Sequence, residues 1–216
     1  TLAFTTAAAP TSNIGSYGIL GSGLTTTTAN YVLAQDPSNT TALTINPATL
    51  TYIADPSSRL YGDPNPAFTG TVTGFKNSET IATATTGALT FASPATATSN
   101  VGSYAIDGSG LTANNGNYVF VQDGSNAAAL TINPATLTYL ADPKTRLYGD
   151  ANPALTGTVT GFKNGETVAT ATTGALTFTT SATAASNVGT YAIDGSGLTT
   201  NNGNYVFVQG LSNATA

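Results

Sequence analysis

The sequence predicts an all-β, β-rich fold made of small tandem modules. The first observation is a period of 87 residues: Tyr61-Gly62-Asp63 returns as Tyr148-Gly149-Asp150, and no insertion or deletion breaks the register. The second is that most segments alternate between apolar and polar residues and are rich in β-branched or aromatic side chains, which is typical of strands. A fixed period of this length indicates repeated small domains rather than a solenoid.

The period divides the chain into three parts. Residues 1–46 match the C-terminal half of a module, residues 47–133 form one complete module, and residues 134–216 form a module that lacks its last strand. A half module cannot bury its own apolar face. We therefore expect the sequence to be a segment of a longer array. The alternative is that neighbouring chains complement each other by strand exchange.

Within the complete module, six segments have strand patterns, and clusters of Asp, Asn, Gly and Pro between them predict turns. The predicted strands are Thr49–Ala54, Thr69–Phe75, Ala88–Ala92, Gly102–Ile106, Tyr118–Gln122 and Ala129–Ile132. The predicted turns are Asp55-Pro56, Asp63–Pro66, Asp107–Gly110 and Asn114–Asn117. The one helix candidate is Asn77–Ala82, with Asn77 or Ser78 as its N-cap and Glu79 in its first turn.

Two architectures accommodate this order of elements. A β-grasp has a hairpin, a short helix and further strands, the last of which lies parallel to the first. An immunoglobulin-like sandwich needs about seven short strands. We favour the β-grasp because the helix candidate follows the second strand. The joins at Pro47 and Pro134 contain no flexible Gly/Ser run, and proline stiffens them, so we expect the modules to be arranged end to end as a rod.

Apolar residues on one face of the predicted strands form the predicted core. Where two copies differ at such positions they exchange one apolar residue for another, as when Phe68 becomes Leu155 and Ile81 becomes Val168, and cores tolerate swaps of this kind. The predicted core consists of Tyr52, Leu60, Phe68, Val72, Phe75, Ile81, Leu89, Phe91, Val101, Tyr104, Ile106, Tyr118, Phe120, Leu130 and Ile132.

The composition argues against catalysis and against several kinds of ligand. The chain has no Cys, His, Met or Trp, and it has 5 Lys+Arg against 10 Asp+Glu. Without Cys and His, the commonest nucleophiles, general bases and zinc ligands are missing, so we predict no enzyme activity, no cofactor and no metal site. The few basic residues disfavour nucleic-acid binding. No apolar run is long enough for this segment to insert into a membrane.

Some charged and aromatic residues repeat with the modules. Arg59 with Asp63, and Arg146 with Asp150, are predicted to form local pairs that organise the Tyr-Gly-Asp motif. The residues interpreted as structural are Pro47, Arg59, Tyr61, Gly62, Asp63, Pro134, Arg146, Tyr148, Gly149 and Asp150. Lys76 and Lys163 raise a less favoured hypothesis, an isopeptide cross-link from Lys to Asn or Asp. The favoured interpretation of these lysines is a capped turn with solvated charges.

Several motifs at consistent spacing resemble a known family. They are Arg59-Leu60-Tyr61-Gly62-Asp63, Gly70-Thr71-Val72, Val101-Gly102-Ser103-Tyr104, Asn117-Tyr118 and Leu130-Thr131-Ile132-Asn133-Pro134. Together they look like the MBG domain of the YGX type, and the resemblance covers the whole chain. It implies an extracellular repeat module from long arrays in large secreted bacterial surface proteins, including filamentous-haemagglutinin-like adhesins. It carries over no catalytic residue.

From these observations we expect a non-catalytic stalk or fibre of a bacterial extracellular, adhesin-like surface protein. The expected partners are neighbouring copies of the same module in cis, and in trans where the chain forms a filament. One alternative is that the modules bind a host or matrix ligand. Another is self-association through strand complementation, which exposed strand edges and low charge make physically easy.

Overall fold

The computed structural model describes residues 1–216, and most of its regular structure is β-strand. The strands are β1 (Ala3–Thr5), β2 (Gly15–Tyr17), β3 (Leu20–Ser22), β4 (Leu43–Ile45), β5 (Ala48–Ala54), β6 (Ser57–Leu60), β7 (Gly70–Thr73), β8 (Thr85–Ala92), β9 (Gly102–Tyr104), β10 (Asp107–Ala113), β11 (Tyr118–Gln122), β12 (Leu130–Asn133), β13 (Ala135–Ala141), β14 (Gly157–Thr160), β15 (Thr172–Thr179), β16 (Asp194–Thr200) and β17 (Tyr205–Gln209). Two one-turn helices, α1 (Ile81–Ala84) and α2 (Val168–Ala171), accompany 3₁₀ turns at Pro37–Thr41, Asn114–Gly116, Gly124–Ala128 and Leu211–Thr215. The predicted β-rich fold is confirmed.

The chain forms two compact units. The first unit contains Thr1–Asp55, Phe68–Ala92 and Asp107–Asn126, and the second contains Pro56–Ala67, Ser93–Ile106 and Ala127–Ala216. Strands β5, β7, β8, β10 and β11 of the complete repeat belong to the first unit, whereas β6, β9 and β12 belong to the second. The second unit also contains the whole of the following repeat, so one packing unit is built from two consecutive repeats.

In the first unit, β5 is the central strand of a three-stranded sheet. It pairs in parallel with β11 and antiparallel with β7, and β8 pairs antiparallel with β10. Alternation along β5 buries Leu50, Tyr52 and Ala54. The ring of Phe120 stacks on Tyr52 with 5.1 Å between ring centroids. The elements follow the order expected of a β-grasp. The antiparallel pair β5 and β7 comes first, the short helix α1 follows, and β11 lies parallel to β5.

In the second unit, β14, β13 and β17 repeat the arrangement of β7, β5 and β11, and β15 and β16 repeat that of β8 and β10. A further sheet has β12 in its middle, parallel to β6 and antiparallel to β9. Leu130 and Ile132 on β12 are 0% and 1% exposed. The predicted last strand of the module therefore exists, but it lies parallel to β6. The strand parallel to β5 is β11.

The core prediction is wrong at one residue of β6. Arg59 is buried at 7% exposure, and its neighbour Leu60 is 43% exposed. Adjacent residues of a strand point to opposite faces, so burial of one exposes the other. Arginine can occupy the inward position because each of its three guanidinium nitrogens donates a hydrogen bond to an acceptor there.

The predicted helix begins later than the sequence indicated. Asn77 and Ser78 have φ angles of 51° and 60°, and this left-handed conformation is incompatible with the extended backbone of an N-cap. Thr80 takes the N-cap position instead, and its N–H donates to Thr83 Oγ1 at 2.8 Å. Asparagine adopts positive φ more readily than most residues, because its short side chain can form local hydrogen bonds. Asparagine is also common at N-caps, so the sequence alone does not distinguish the two conformations at position 77.

The turn predicted at Asp107–Gly110 is wrong, because these residues begin β10. Gly108 packs directly on Tyr52, and a Cβ at position 108 would lie 2.6 Å from the Tyr52 side chain. The register against β8 shifts between Ser109 and Leu111, which is a bulge at Gly110. Gly108 therefore allows close packing of the strands, and Gly110 forms a bulge, so neither glycine marks a turn.

Two asparagines 87 residues apart fix 3₁₀ turns onto the central strands. Asn126 is 1% exposed; its Oδ1 accepts the Ala54 N–H at 2.8 Å, and its Nδ2 donates to the Tyr52 carbonyl at 3.0 Å. Asn213 is also 1% exposed and repeats both bonds, with Ala141 and Tyr139. Each side chain thereby gives a buried strand N–H its acceptor, and it adds a second hydrogen bond to a carbonyl that already accepts a main-chain N–H.

Candidate functional site at the Tyr-Gly-Asp motif

The site is formed by the Tyr-Gly-Asp motif of one repeat and a face of the next repeat, all within the second unit. We call Tyr61-Gly62-Asp63 the docked corner and Lys163, Glu166 and Tyr205 the docked face. The equivalent residues without such a partner are the open corner, Tyr148-Gly149-Asp150, and the open face, Lys76, Glu79 and Tyr118. The two copies can be compared residue by residue because they share one sequence.

Arg59, on β6, holds the docked corner in shape. Its Nε donates to Asn65 Oδ1 at 2.8 Å, and its Nη1 and Nη2 donate to the carbonyl oxygens of Leu60 and Thr96 at 3.1 and 2.5 Å. The predicted pair with Asp63 is not formed: each guanidinium nitrogen donates to one of these acceptors, and Asp63 pairs with Lys163 instead. Arg146 repeats the same set of bonds in the open corner, so both corners are built locally and do not need a partner to form.

Gly62 allows the docked corner to approach the next repeat closely. Its φ is +82°, and its N–H donates to the Ala97 carbonyl at 3.2 Å. A Cβ on Gly62 would lie 2.2 Å from Lys163 Cβ, a distance that real atoms do not adopt. Both the backbone conformation and the contact therefore require glycine.

Tyr61 buries its ring against the docked face. It is 4% exposed, and its ring meets the ring of Tyr205 edge-on with centroids 5.3 Å apart. Glu166 accepts a hydrogen bond from both hydroxyls, from Tyr61 on Oε1 at 3.0 Å and from Tyr205 on Oε2 at 2.5 Å. Bonds to an ionised acceptor are stronger than neutral ones, so one carboxylate joins two repeats.

Burial raises the pKa of Tyr205 above its ordinary value, and the hydrogen bond to Glu166 adds to the rise. The pKa of Tyr61 is raised in the same direction, again mainly by burial. Ionising either ring would place a phenolate beside the Glu166 carboxylate, which like-charge repulsion opposes.

Alkaline pH should therefore weaken the folded protein. Unfolded tyrosine ionises near pH ~10, whereas Tyr61 and Tyr205 keep their protons to higher pH when folded, so above pH ~10 the folded state binds more protons and its stability falls as pH rises. Guanidinium unfolding between pH 8 and 11 measures the fall. Glu166→Gln should make it shallower than the matched variant Glu79→Gln does, because Glu166 accepts from two tyrosines and Glu79 accepts from Tyr118 alone. Equal slopes for both variants would contradict the assignment.

Further polar contacts around Glu166 connect the two repeats at the docked corner. Lys163 Nζ pairs with Asp63 Oδ1 at 2.9 Å, and the two side chains are 37% and 38% exposed. An ion pair this exposed contributes at most about 1 kcal/mol. Asn204 is 4% exposed; its Nδ2 donates to Asn100 Oδ1 and its Oδ1 accepts from the Val101 N–H. The hydrogen bonds of the buried Asn204 therefore contribute more to the alignment of the two repeats than the exposed ion pair does.

The surroundings of Lys76 and Lys163 give no support to the isopeptide hypothesis. Lys163 faces the half-exposed Asp63, and Lys76 is exposed. Both side chains of the Lys163–Asp63 pair are more than a third exposed, so solvent reaches this contact. We expect the intact mass of the purified chain to equal that of its sequence; a mass lower by one water or one ammonia per cross-link would overturn this prediction.

In the other copy the same groups are present without a partner. Tyr118 donates to Glu79 as Tyr205 does to Glu166, and its hydroxyl accepts the Lys76 N–H at 2.9 Å, so the open face has the same internal bonds as the docked face. In the open corner Tyr148 is 68% exposed, and nothing lies within 4 Å of a Cβ built on Gly149. Docking therefore buries preformed surfaces.

The two structural prolines lie at the joins between repeats. Pro134 is the only residue between β12 and β13, and the Ala135 N–H that follows donates to the Asn204 carbonyl at 3.0 Å. Pro47 precedes β5, where the Ala48 N–H donates to the Asn117 carbonyl at 2.9 Å. Both joins are thus short and bonded to the repeat that follows them.

Residues 50–127 and residues 137–215 each match the MBG domain (YGX type). The chain belongs to this family. The two MBG domains cover most of the chain in tandem, which indicates a repeat region of the kind found in surface proteins. No curated protein and no solved structure matches the chain. No group of three or more carboxylates in the MBG domains is arranged to hold a metal ion, and none of the helices is long and apolar enough to span a bilayer.

The repeated Tyr-Gly-Asp motif predicts the corner of the MBG domain, but no motif predicts the face on which it docks. The sequence places Glu79, the copy of Glu166, in the first turn of a helix, and Tyr118, the copy of Tyr205, in a core strand. The available signal was the recurrence of Lys, Glu and Tyr at identical spacing in both copies. It does not reveal the partner, because the corner and its face are about a hundred residues apart in different repeats.

Proposed function

We propose that these MBG domains form a non-catalytic stalk or fibre region of a bacterial extracellular, adhesin-like surface protein. In this role each repeat is a spacer element, and its partners in cis are the neighbouring copies. The structural residues of the corner and the prolines at the joins fix the position of each repeat relative to the next. No reacting group is required, in agreement with a chain that has no Cys or His.

The observation that supports a spacer is the docked corner. Consecutive repeats are connected through Pro134 alone and also share Glu166, which receives a hydroxyl from each of them. A connection with one proline and no Gly/Ser run has little freedom. The additional contacts of the docked corner, 4% exposed at Tyr61, oppose bending at this join.

Small-angle scattering tests this role on chains lengthened by whole periods. One or two further copies of residues 47–133, inserted after Asn133, keep every join identical. A stiff spacer gains a constant length per repeat, roughly 30–45 Å from the size of a compact domain. A Gly/Ser segment inserted at the same point is the matched control. Increments that shrink with each added copy would indicate a flexible chain and contradict the spacer role.

An extracellular location is the second part of the proposal. Absence of Cys and Met leaves no side chain that is easily oxidised, which suits an exposed surface. Antibodies against the chain should label intact cells of the source bacterium as strongly as permeabilised cells. Labelling that requires permeabilisation would contradict the location.

Binding of a host or matrix ligand by individual repeats is the alternative. The most exposed aromatic of the second repeat is Tyr148, at 68%. Its copy Tyr61 shows what such a ring contacts in this protein, which is the face of another repeat. The contact within the chain therefore favours the spacer role over a ligand site.

A further inference from the structure

The complete repeat is attached to its neighbours along the chain at two points. The chain enters this repeat after Pro47 as β5 and continues as β6, and it leaves as β11 and then β12, before Pro134. We call residues 48–60 the entering segment and residues 118–133 the leaving segment. Tension along an array of repeats therefore pulls on the N-terminal end of the entering segment and on the C-terminal end of the leaving segment.

The entering and leaving segments are paired in parallel along both of their strands. In the first unit β5 and β11 form five cross-strand pairs, and in the second unit β6 and β12 form four, without a shift of register in either ladder. Main-chain bonds continue both ladders. The Ala48 N–H donates to the Asn117 carbonyl at 2.9 Å, and the Tyr61 N–H donates to the Asn133 carbonyl at 2.8 Å.

The direction of pulling determines how such a ladder resists tension. When two parallel strands are pulled at opposite ends, the force acts along the strands, and the evenly spaced hydrogen bonds share it. When the same strands are pulled at the same end, the bonds open one after another. In the complete repeat β5 and β6 are pulled toward their N-terminal ends, and β11 and β12 toward their C-terminal ends. Both ladders are therefore pulled at opposite ends.

Side chains of the first unit also oppose sliding of β5 along β11. Leu50 and Tyr52 on β5 are 0% and 4% exposed, and the ring of Phe120 on β11 stacks on Tyr52, so movement of β5 along its axis would expose apolar surface. Beyond β11, Asn126 is bonded to the Ala54 N–H and the Tyr52 carbonyl. This side chain ties the leaving segment to the C-terminal end of β5.

We propose that the complete repeat has a further function, which is to bear tension along the array through its two parallel ladders and the tie at Asn126. The spacer role concerns bending at the joins, whereas this function concerns pulling along the chain. That tension reaches the repeat rests on the proposed stalk role, but the resistance itself depends only on how the strands are paired. Forced unfolding is governed by the rate of unfolding, so the relevant measurement is a rupture force.

Pulling single molecules of the full chain from two chosen positions tests this function. The chain has no cysteine of its own, so added cysteines serve as the only handles. Asn46→Cys with Gly124→Cys places the handles at opposite ends of the ladder between β5 and β11, and Asn46→Cys with Val119→Cys places them near the same end. All three positions are exposed. At one loading rate the first pair of handles should need at least about twice the force of the second, because the bonds share the force only in the first.

Two asparagine variants test the tie at Asn126. Asn126→Leu should lower the rupture force measured with handles at positions 46 and 124. It should not change the force with handles at positions 46 and 119, because that ladder opens first at Ala48, far along β5 from Ala54. Asn213→Leu removes the equivalent bonds in the following repeat. Since Asn213 lies outside the pulled ladder, this matched control should leave both forces unchanged.

Equal rupture forces in the two pulling directions would overturn the proposal. An effect of Asn126→Leu that is the same in both directions, or that Asn213→Leu reproduces, would also contradict it, because the substitution would then act through general stability. Failure of this proposal differs from failure of the spacer role. A chain that is flexible in scattering but resists pulling at opposite ends loses only the spacer role, whereas a stiff chain with equal rupture forces loses only the tension-bearing function.

Discussion

Asn126→Leu is expected to lower the free energy of unfolding by about 2–4 kcal/mol. The substitution keeps the branched shape of the side chain but removes the acceptor of the Ala54 N–H and the donor to the Tyr52 carbonyl and to Gln122 Oε1. The carbonyl retains the Asp123 N–H at 2.9 Å, so the main cost is the buried amide of Ala54. An unsatisfied buried donor costs about 1–3 kcal/mol, and the lost bonds add to it. Guanidinium unfolding followed by circular dichroism measures the change.

The chain supplies its own control at Asn39, the copy of Asn126 in the first half module. Asn39 is only partly buried, and its Nδ2 donates to Gln35 Oε1 without reaching any strand amide. Asn39→Leu should therefore cost less than about 1 kcal/mol. Asn213→Leu should match Asn126→Leu, because its contacts with Ala141 and Tyr139 are the same. A loss at Asn39 as large as at Asn126 would show that the 3₁₀ turn, rather than its bond to the central strand, determines the cost.

The strands were predictable because their signal is local. The predicted segments Thr49–Ala54 and Tyr118–Gln122 correspond to β5 and β11 within one residue. Period-two alternation comes from the pleat of the strand itself and needs no knowledge of its partner. The sequence therefore predicts β-rich modules and the positions of these strands, whereas the pairing of β12 with β6 depends on which strands the chain brings together.

The errors have a common physical cause, which is contact with a distant segment. Arg59 is buried because acceptors from Asn65 and Thr96 surround it, and Gly108 is a strand residue because Tyr52 packs against it. The docked face is the largest case. Glu166 is a polar residue after a turn in the sequence, and only the neighbouring repeat makes it an acceptor for two tyrosines.

Gly62→Ala is expected to disrupt the docked corner, with a loss of about 2–5 kcal/mol in the free energy of unfolding. Part of this loss is the strain of an L-residue at positive φ, about 1–2 kcal/mol. The rest is the overlap of the new methyl with Lys163 Cβ, since overpacking costs about 1–3 kcal/mol. Lys163 cannot move aside easily, because its N–H is bonded to the Tyr205 hydroxyl at 2.9 Å.

Gly149→Ala is the matched control, in the same motif and nearly the same conformation. The φ angles of Gly62 and Gly149 are 82° and 90°, but the new methyl at position 149 meets nothing within 4 Å. Gly149→Ala should therefore cost only the strain, and the difference between the two variants measures the overlap with the docked face. If the loss at Gly62 reflects undocking, the tyrosinate absorbance at 295 nm should also appear at lower pH, because Tyr61 and Tyr205 lose the burial that raises their pKa. Equal losses at the two glycines, with no change in the tyrosine titration, would mean that the corner does not stabilise the join between repeats.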